Sequence, residues 1–212
     1  MIGQKITRSK LEQFLTRWRS EGLTLDVGSG NSPYSKYFRN RVGIDVCYGN
    51  GVHVIADAHA LPFRDGSFDL ILCTEVLEHL QNPHIAISEF RRVLKQSGLL
   101  ILTTRFIFPI HDGPHDFYRF TQYGLRYLLS VGWNVEELAE ESDVQDTLAV
   151  LIQRICYQTH VRGGKLLKVL LLLVAYILRM GPRFIRQEFV DISKRQIGKF
   201  MTSGYYVVAR KQ

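Results

Sequence analysis

Short apolar runs that are solid rather than alternating recur along this 212-residue chain, separated by stretches of helical periodicity. They are Leu23–Val27, Val42–Val46, Val52–Ala56, Phe68–Cys73 and Leu99–Thr103, with Val135–Ala139 and Tyr205–Ala209 further on. A strand with no polar face must be covered on both sides. Solid strands alternating with helices therefore require a parallel sheet between helical layers. The fold class this predicts is α/β, doubly wound, with a mostly parallel sheet.

Helical segments fit between the strands. Ser9-Lys10-Leu11-Glu12 matches a capping box and predicts a helix from Leu11 to about Arg19. Tyr34–Arg39 reads as a weak helix start, and Val76–Leu80 as helical. Pro83–Lys95 carries Ile85, Ile87, Phe90, Val93 and Leu94 near helical spacing, and Gly98 is expected to stop it. Thr121–Leu129 is a further helix.

In an open sheet of this kind, ligands bind beyond the carboxyl ends of the strands, beside the first strand-to-helix turn. That turn is Gly28-Ser29-Gly30, where missing side chains let a ligand approach the backbone. The dinucleotide form of the motif wants a third glycine where this chain has Pro33. Asp26, just before the loop, would repel a pyrophosphate but suits a ligand with an ammonium group. Asp45 ends the second strand, where a carboxylate accepts both hydroxyls of a ribose. Asp57 ends the third and could accept from an adenine amino group. Each acid alone reads as a turn or cap residue. Ammonium, ribose and adenine together describe S-adenosylmethionine.

With these residues in place, the chain resembles the class I S-adenosylmethionine-dependent methyltransferases, closely the type 11 group. The segments that carry the resemblance are LDVGSGNS (25–32), VGIDV (42–46), IADAHALPFRDGSFDLILCTEVLEHL (55–80) and EFRRVLKQSGLLILTT (89–104). It covers roughly residues 20 to 140 and the last strand. Asn31-Ser32 departs from the group, which often has a third glycine there. The resemblance implies a seven-stranded sheet with an antiparallel last strand in a single domain. It also implies cofactor contacts from Gly28 and Gly30, Asp45, Asp57-Ala58 and the end of the fourth strand near Cys73.

Histidines at the ligand edge are the candidate bases, since imidazole titrates near neutral pH. His79 follows the fourth strand; in the resembled group its role is often structural or near the acceptor. FPIHDGPHDFYRFT (108–121) follows the fifth strand and offers His111, Asp112, His115, Asp116 and Arg119. It resembles a segment of members that act on sugars, glycans or lipid-linked acceptors. A His–Asp pairing there makes either an oriented base or a loop anchor without chemistry. No metal is expected, because Gly113-Pro114 between the two histidines breaks helical ligand spacing. His53, His59, His84 and His160 carry no pattern and read as surface or core.

Residues 142–203 form a predicted helical insertion between the last two strands, where the resembled group has a short hairpin. Val144–His160 reads as one helix and Lys165–Met180 as another. The second has an unbroken apolar core, Val169–Leu178, of ten residues. That is half the roughly 20 needed to span a bilayer. It suits a buried or interfacial position. Residues 154–212 hold 12 of the 27 Lys and Arg but two acids, leaving 15 basic and 18 acidic residues elsewhere. Such asymmetry marks either an anionic partner or a solvated basic face. Peripheral contact with an anionic membrane through residues 162–186 is one expectation, and a homodimer interface or a helix packed on the sheet is the other.

Cys47, Cys73 and Cys156 show no paired spacing, and the N-terminal stretch MIGQKITRSK has no apolar core of a secretory signal. A reduced, cytoplasmic protein is expected, either free or peripheral on the inner face of the membrane. The function expected is methyl transfer to a small-molecule, glycan or lipid-linked acceptor, at oxygen. The alternatives are a non-catalytic methyltransferase-like scaffold and, further off, an RNA enzyme. Cys73-Thr74-Glu75-Val76 replaces the Asn/Asp-Pro-Pro-aromatic motif often used for nucleic-acid amino groups, so a nucleic-acid acceptor is disfavoured.

Overall fold

The computed structural model describes residues 6–31, 33–181 and 201–212. Seven strands form one sheet in the order β3-β2-β1-β4-β5-β7-β6. They are β1 (Thr24–Val27), β2 (Arg41–Asp45), β3 (Val54–Ile55), β4 (Phe68–Thr74), β5 (Leu94–Arg105), β6 (Trp133–Glu140) and β7 (Gly204–Lys211). β1 pairs in parallel with β2 and β4, and β2 with β3 and β4 with β5 likewise. β7 runs antiparallel between β5 and β6. This is the doubly wound α/β class that solid apolar strands require. Leu25, Ile71, Cys73, Leu100, Ile101, Leu102, Val207 and Val208 have no exposed surface.

Helices α1 (Ile6–Arg17), α2 (Pro83–Val93), α3 (Gln122–Leu128), α4 (Val144–Gln158) and α5 (Gly164–Met180) complete the elements, with short 3-10 turns at Ser35–Tyr37 and Leu77–His79. Among the helix boundaries that differ from the sequence reading, two have a visible cause. α1 begins before Ser9, so Ser9 lies inside it and caps nothing. Its buried face, Thr7, Leu11 and Leu15, extends the i, i+4 stripe one turn upstream. α2 stops at Val93, two residues short of the expected Lys95, because Leu94 already pairs with Phe68. The register then breaks between Phe68 and Leu70, and Lys95, Gln96 and Ser97 bulge outward as exposed residues.

The chain divides into two compact units. One comprises Glu12–Arg105, Ile110–Ala139 and Tyr205–Gln212 and holds most of the sheet. The other comprises Met1–Leu11, Phe106–Pro109 and Glu140–Gly204. In this second unit Ala149 and Val150 of α4 pack with Ala175 of α5, beside Phe108, Ile152 and Leu178. Asp143 caps α4 by accepting from the Asp146 N–H at 2.8 Å. Only Ala175 of α5 is buried, whereas Leu166, Val169, Leu173, Tyr176 and Ile177 are more than half exposed. No helix among the described residues is long and apolar enough to cross a membrane. Ser32, the N-terminal stretch 1–5 and residues 182–200 of the expected insertion lie outside the described residues.

Candidate active site

The glycine loop after β1 is tied to β2 by its backbone. The Ser29 N–H donates to the Ile44 carbonyl at 3.0 Å, and the Gly30 N–H to Asp45 Oδ2 at 3.1 Å. Gly28 has φ +67°, and a Cβ there would lie 2.2 Å from Val76 Cγ2. Both the backbone conformation and the space therefore demand glycine. Asp45 Oδ1 also accepts from the Cys47 N–H, at 3.1 Å, which holds the carboxylate at the mouth of β2.

Asp57 accepts two bonds through Oδ1, from the His59 backbone N–H at 2.9 Å and the His59 Nδ1 at 2.5 Å. His59 Nε2 accepts from the Asn82 N–H at 3.2 Å, so Nδ1 must carry the proton given to Asp57. These bonds, the backbone one foremost, hold Asp57 below the usual carboxylate range. His59, read from sequence as patternless, is therefore part of the site.

Directly after β4 comes Glu75, whose φ is +57°, a conformation that a non-glycine residue holds only when its surroundings enforce it. Its N–H donates to the Thr103 carbonyl, and its carboxylate pairs with the buried Arg105. The following turn places Glu78 fully inside the protein. Thr104 Oγ1 donates to Glu78 Oε2 at 2.8 Å, while Glu78 Oε1 has no hydrogen-bond partner among the described residues. Burial pushes this carboxyl group up from its ordinary value. The Glu78 carbonyl accepts from the Phe117 and Tyr118 N–H groups at 2.9 and 3.1 Å, which clamps the loop after β5 against the turn.

That clamp brings the histidines together. His79 Nδ1 lies 2.6 Å from the His115 carbonyl oxygen, and the His79 and His111 rings meet edge to face at 4.8 Å. The His111 N–H donates to Asp116 Oδ2 at 2.9 Å. Arg119 grips both oxygens of Asp116 at 2.6 Å, and that bidentate pair holds Asp116 far below its ordinary value.

A cavity of about 900 Å³ opens over these elements. Gly28, Asp45, Asp57, Ala58, His79 and His115 line it, joined by Glu75, Val76, His59 and Phe117, which sequence reasoning did not single out. Asp26, Gly30, Cys73 and His111 do not line it. Asp26 is buried, with Oδ2 3.3 Å from an Arg41 guanidinium nitrogen, so a cation of the chain already faces the carboxylate expected to meet a ligand ammonium. Cys73 is wholly inside β4, and burial pushes its thiol up, keeping it neutral.

A family model described as a methyltransferase domain, type 11, matches residues 25–102, which run from β1 through most of β5. Over these residues the chain matches the class I methyltransferase domain of type 11. This methyltransferase domain is 35% identical over 105 residues to an uncharacterized Methanocaldococcus jannaschii protein, MJ1123, covering 46% of this chain and 51% of that one. It is 31% identical over 117 residues to the uncharacterized methyltransferase YcgJ of Bacillus subtilis, covering 46% of this chain and 44% of that one. The crystal structure of YcgJ superposes with a TM-score of 0.57 at 17% identity, over 97% of this chain and 99% of that chain, and so shares the fold. A third relative, the ubiquinone biosynthesis O-methyltransferase of Cereibacter sphaeroides, is 30% identical over 94 residues, 44% of this chain and 36% of that one. The matched stretches thus span about half or less of these curated relatives.

Proposed function

We propose that the protein transfers a methyl group from S-adenosylmethionine to an oxygen of a small-molecule, glycan or lipid-linked acceptor. The observation that carries this reading is the single cavity that joins Gly28, Asp45 and Asp57 to His79 and His115. The residues fit the cofactor. Gly28 leaves backbone bare at the cavity wall, Asp45 offers carboxylate oxygens to a ribose diol, and Asp57 with Ala58 offers an edge to adenine. Gly30 shapes the loop through Asp45, Asp26 steadies it through Arg41, and Cys73 packs beneath it.

The bound cofactor supplies a methyl group already activated on a sulfonium. The chain must then align the acceptor, exclude water and take up the proton that the acceptor oxygen loses. His79 and His115, at the cavity wall, are the candidates for that proton, and His111 supports His79 from behind. Oxygen as the acceptor atom is favoured by the similarity to an O-methyltransferase of ubiquinone biosynthesis.

The exposed apolar residues of α5, flanked by Arg162, Lys165, Lys168 and Arg179, suit the surface of an anionic membrane, which a lipid-linked acceptor would share. A cytoplasmic protein held peripherally on an inner membrane face fits this reading.

Calorimetry with S-adenosylhomocysteine, followed by a labelled-methyl screen of metabolite extract with and without membranes, tests the proposal. Binding plus label transfer to an extractable acceptor supports it. Binding without transfer to any fraction would leave a non-catalytic scaffold, and absence of binding would reject the cofactor.

A further inference from the structure

We infer that Glu78, His79 and His111 form a binding site for one divalent first-row transition-metal ion of the Zn2+ class. The donor atoms of the three side chains lie within 4.8 Å of one another. Around a tetrahedral ion with bonds of about 2.0–2.1 Å, neighbouring donors sit roughly 3.3 Å apart. Side-chain rotation closes the remaining gap, which is at most about 1.5 Å.

Two independent observations point to an ion. The first is Glu78 Oε1, an oxygen of a side chain with no exposed surface and, among the described residues, no hydrogen-bond partner. A buried carboxylate oxygen left unpaired is costly, and such atoms are rare in folded proteins. Thr104 holds the other oxygen, so the carboxylate is fixed in place while one lone-pair face stays unused. A cation satisfies that face.

The second is how the imidazoles are held. A carbonyl can only accept, so His79 must donate from Nδ1 to His115, which leaves Nε2 as the lone-pair nitrogen of the neutral ring. His111 Nδ1 lies 3.5 Å from the Asp116 carboxylate, itself gripped by Arg119. A carbonyl behind one histidine and a carboxylate behind the other is the outer arrangement that fixes metal-ligating imidazoles.

One carboxylate and two imidazoles suit a borderline ion and leave coordination positions open. His79 lines the cavity, so an open position there can take an acceptor oxygen, whose proton is then easier to lose and passes to His115, both nitrogens of His79 being engaged when the ion is bound. That use rests on the methyl-transfer reading; the binding itself does not. His111 lies beyond the residues that the domain family model matches, so the site draws its third ligand from the loop after β5.

The test is calorimetric titration of EDTA-stripped full chain with Zn2+, with Co2+ absorption as a second readout. One equivalent should bind, with Co2+ bands stronger than those of the aquo ion. His111→Ala and Glu78→Gln should each weaken binding about 100-fold or more, while His84→Ala, a histidine outside the cluster, should not. Circular dichroism reports folding of each variant, and if Glu78→Gln fails to fold, His111→Ala decides alone. No stoichiometric Zn2+ binding, or His111→Ala binding as the wild type does, would overturn the inference. S-adenosylhomocysteine titrated into the same stripped protein separates the two readings: its binding without Zn2+ binding sinks only the metal site, and the reverse sinks only the cofactor.

Discussion

His79 and His115 are joined through the backbone of one and the ring of the other, Nδ1 to carbonyl at 2.6 Å. The bond does two things at once. It sets which nitrogen of His79 carries the proton, and it pins the loop after β5 over the cavity. His79→Asn keeps a side-chain N–H near the Nδ1 position and removes Nε2. We expect that variant to melt close to the wild type and to lose methyl transfer by roughly 100-fold. If turnover survives in His79→Asn and in His115→Ala alike, these side chains serve the loop and not the chemistry.

Asp45 meets both the glycine loop and the cavity. Asp45→Ala removes the acceptor for a ribose diol, and charge-assisted hydrogen bonds contribute about 1.5–3 kcal/mol each. S-adenosylhomocysteine affinity should fall by at least tenfold in calorimetry. An unchanged affinity removes Asp45 from the cofactor site.

Gly28→Ala meets two obstacles, the positive φ of +67° and Val76 Cγ2 at 2.2 Å. A destabilisation of about 1–3 kcal/mol is expected from strain and overpacking. Val76→Ala in the same chain should return part of that loss, since it removes the clash and leaves the dihedral strain. Urea unfolding of the two single mutants and the double mutant measures the coupling. Strict additivity would mean that the two side chains do not meet.

Asp116 is held far below the ordinary carboxylate range by the Arg119 fork, so its folded form binds a proton less readily than its unfolded form. The pair therefore stabilises the protein at neutral pH, and this contribution fades as pH drops through and below the unfolded value of about 3.9. Asp116→Asn should cost about 1–3 kcal/mol at pH 7, with the gap to wild type narrowing below about pH 4. Denaturant titrations across that range check it, and a pH-independent gap would assign the cost to packing.

The α5 surface predicts co-flotation with vesicles containing anionic lipid at low salt. Reversing Lys165, Lys168 and Arg179 to Glu should abolish it, because each cation near such a surface contributes about 1 kcal/mol. A chain that stays with the pellet and scatters light as a dimer would assign the apolar face to a second copy instead.

Strands β1 to β5 were legible because runs such as Phe68–Cys73 have no polar face to give to water. Asp45 and Asp57 were legible for a related reason: a carboxylate at the end of a buried strand has one direction to face. Glu78 was not. In Leu-Glu-His-Leu it reads as a helix residue on any surface, and its burial depends on a clamp from Phe117 and Tyr118, some 40 positions away. The meeting of His79 with His111 has the same non-local origin. His59 escaped notice because a histidine two residues after an aspartate has no periodic signature, although its bond to Asp57 is local. The misplaced start of α1 shows the converse, a local signal at Ser9 overridden by the buried stripe around it.

β7 lies between β5 and β6 in the sheet, yet more than 60 residues of chain separate it from β6. A ribosome therefore delivers the strand that fills the gap only after every other strand has emerged. Until then β5 presents an unpaired rim and β6 has no neighbour in the sheet. The cofactor edge, made of β1, β2 and β4, can assemble early and wait, while the rim of β5 stays open to another nascent chain. Vectorial synthesis thus makes this half of the sheet the place where a chaperone has most to guard.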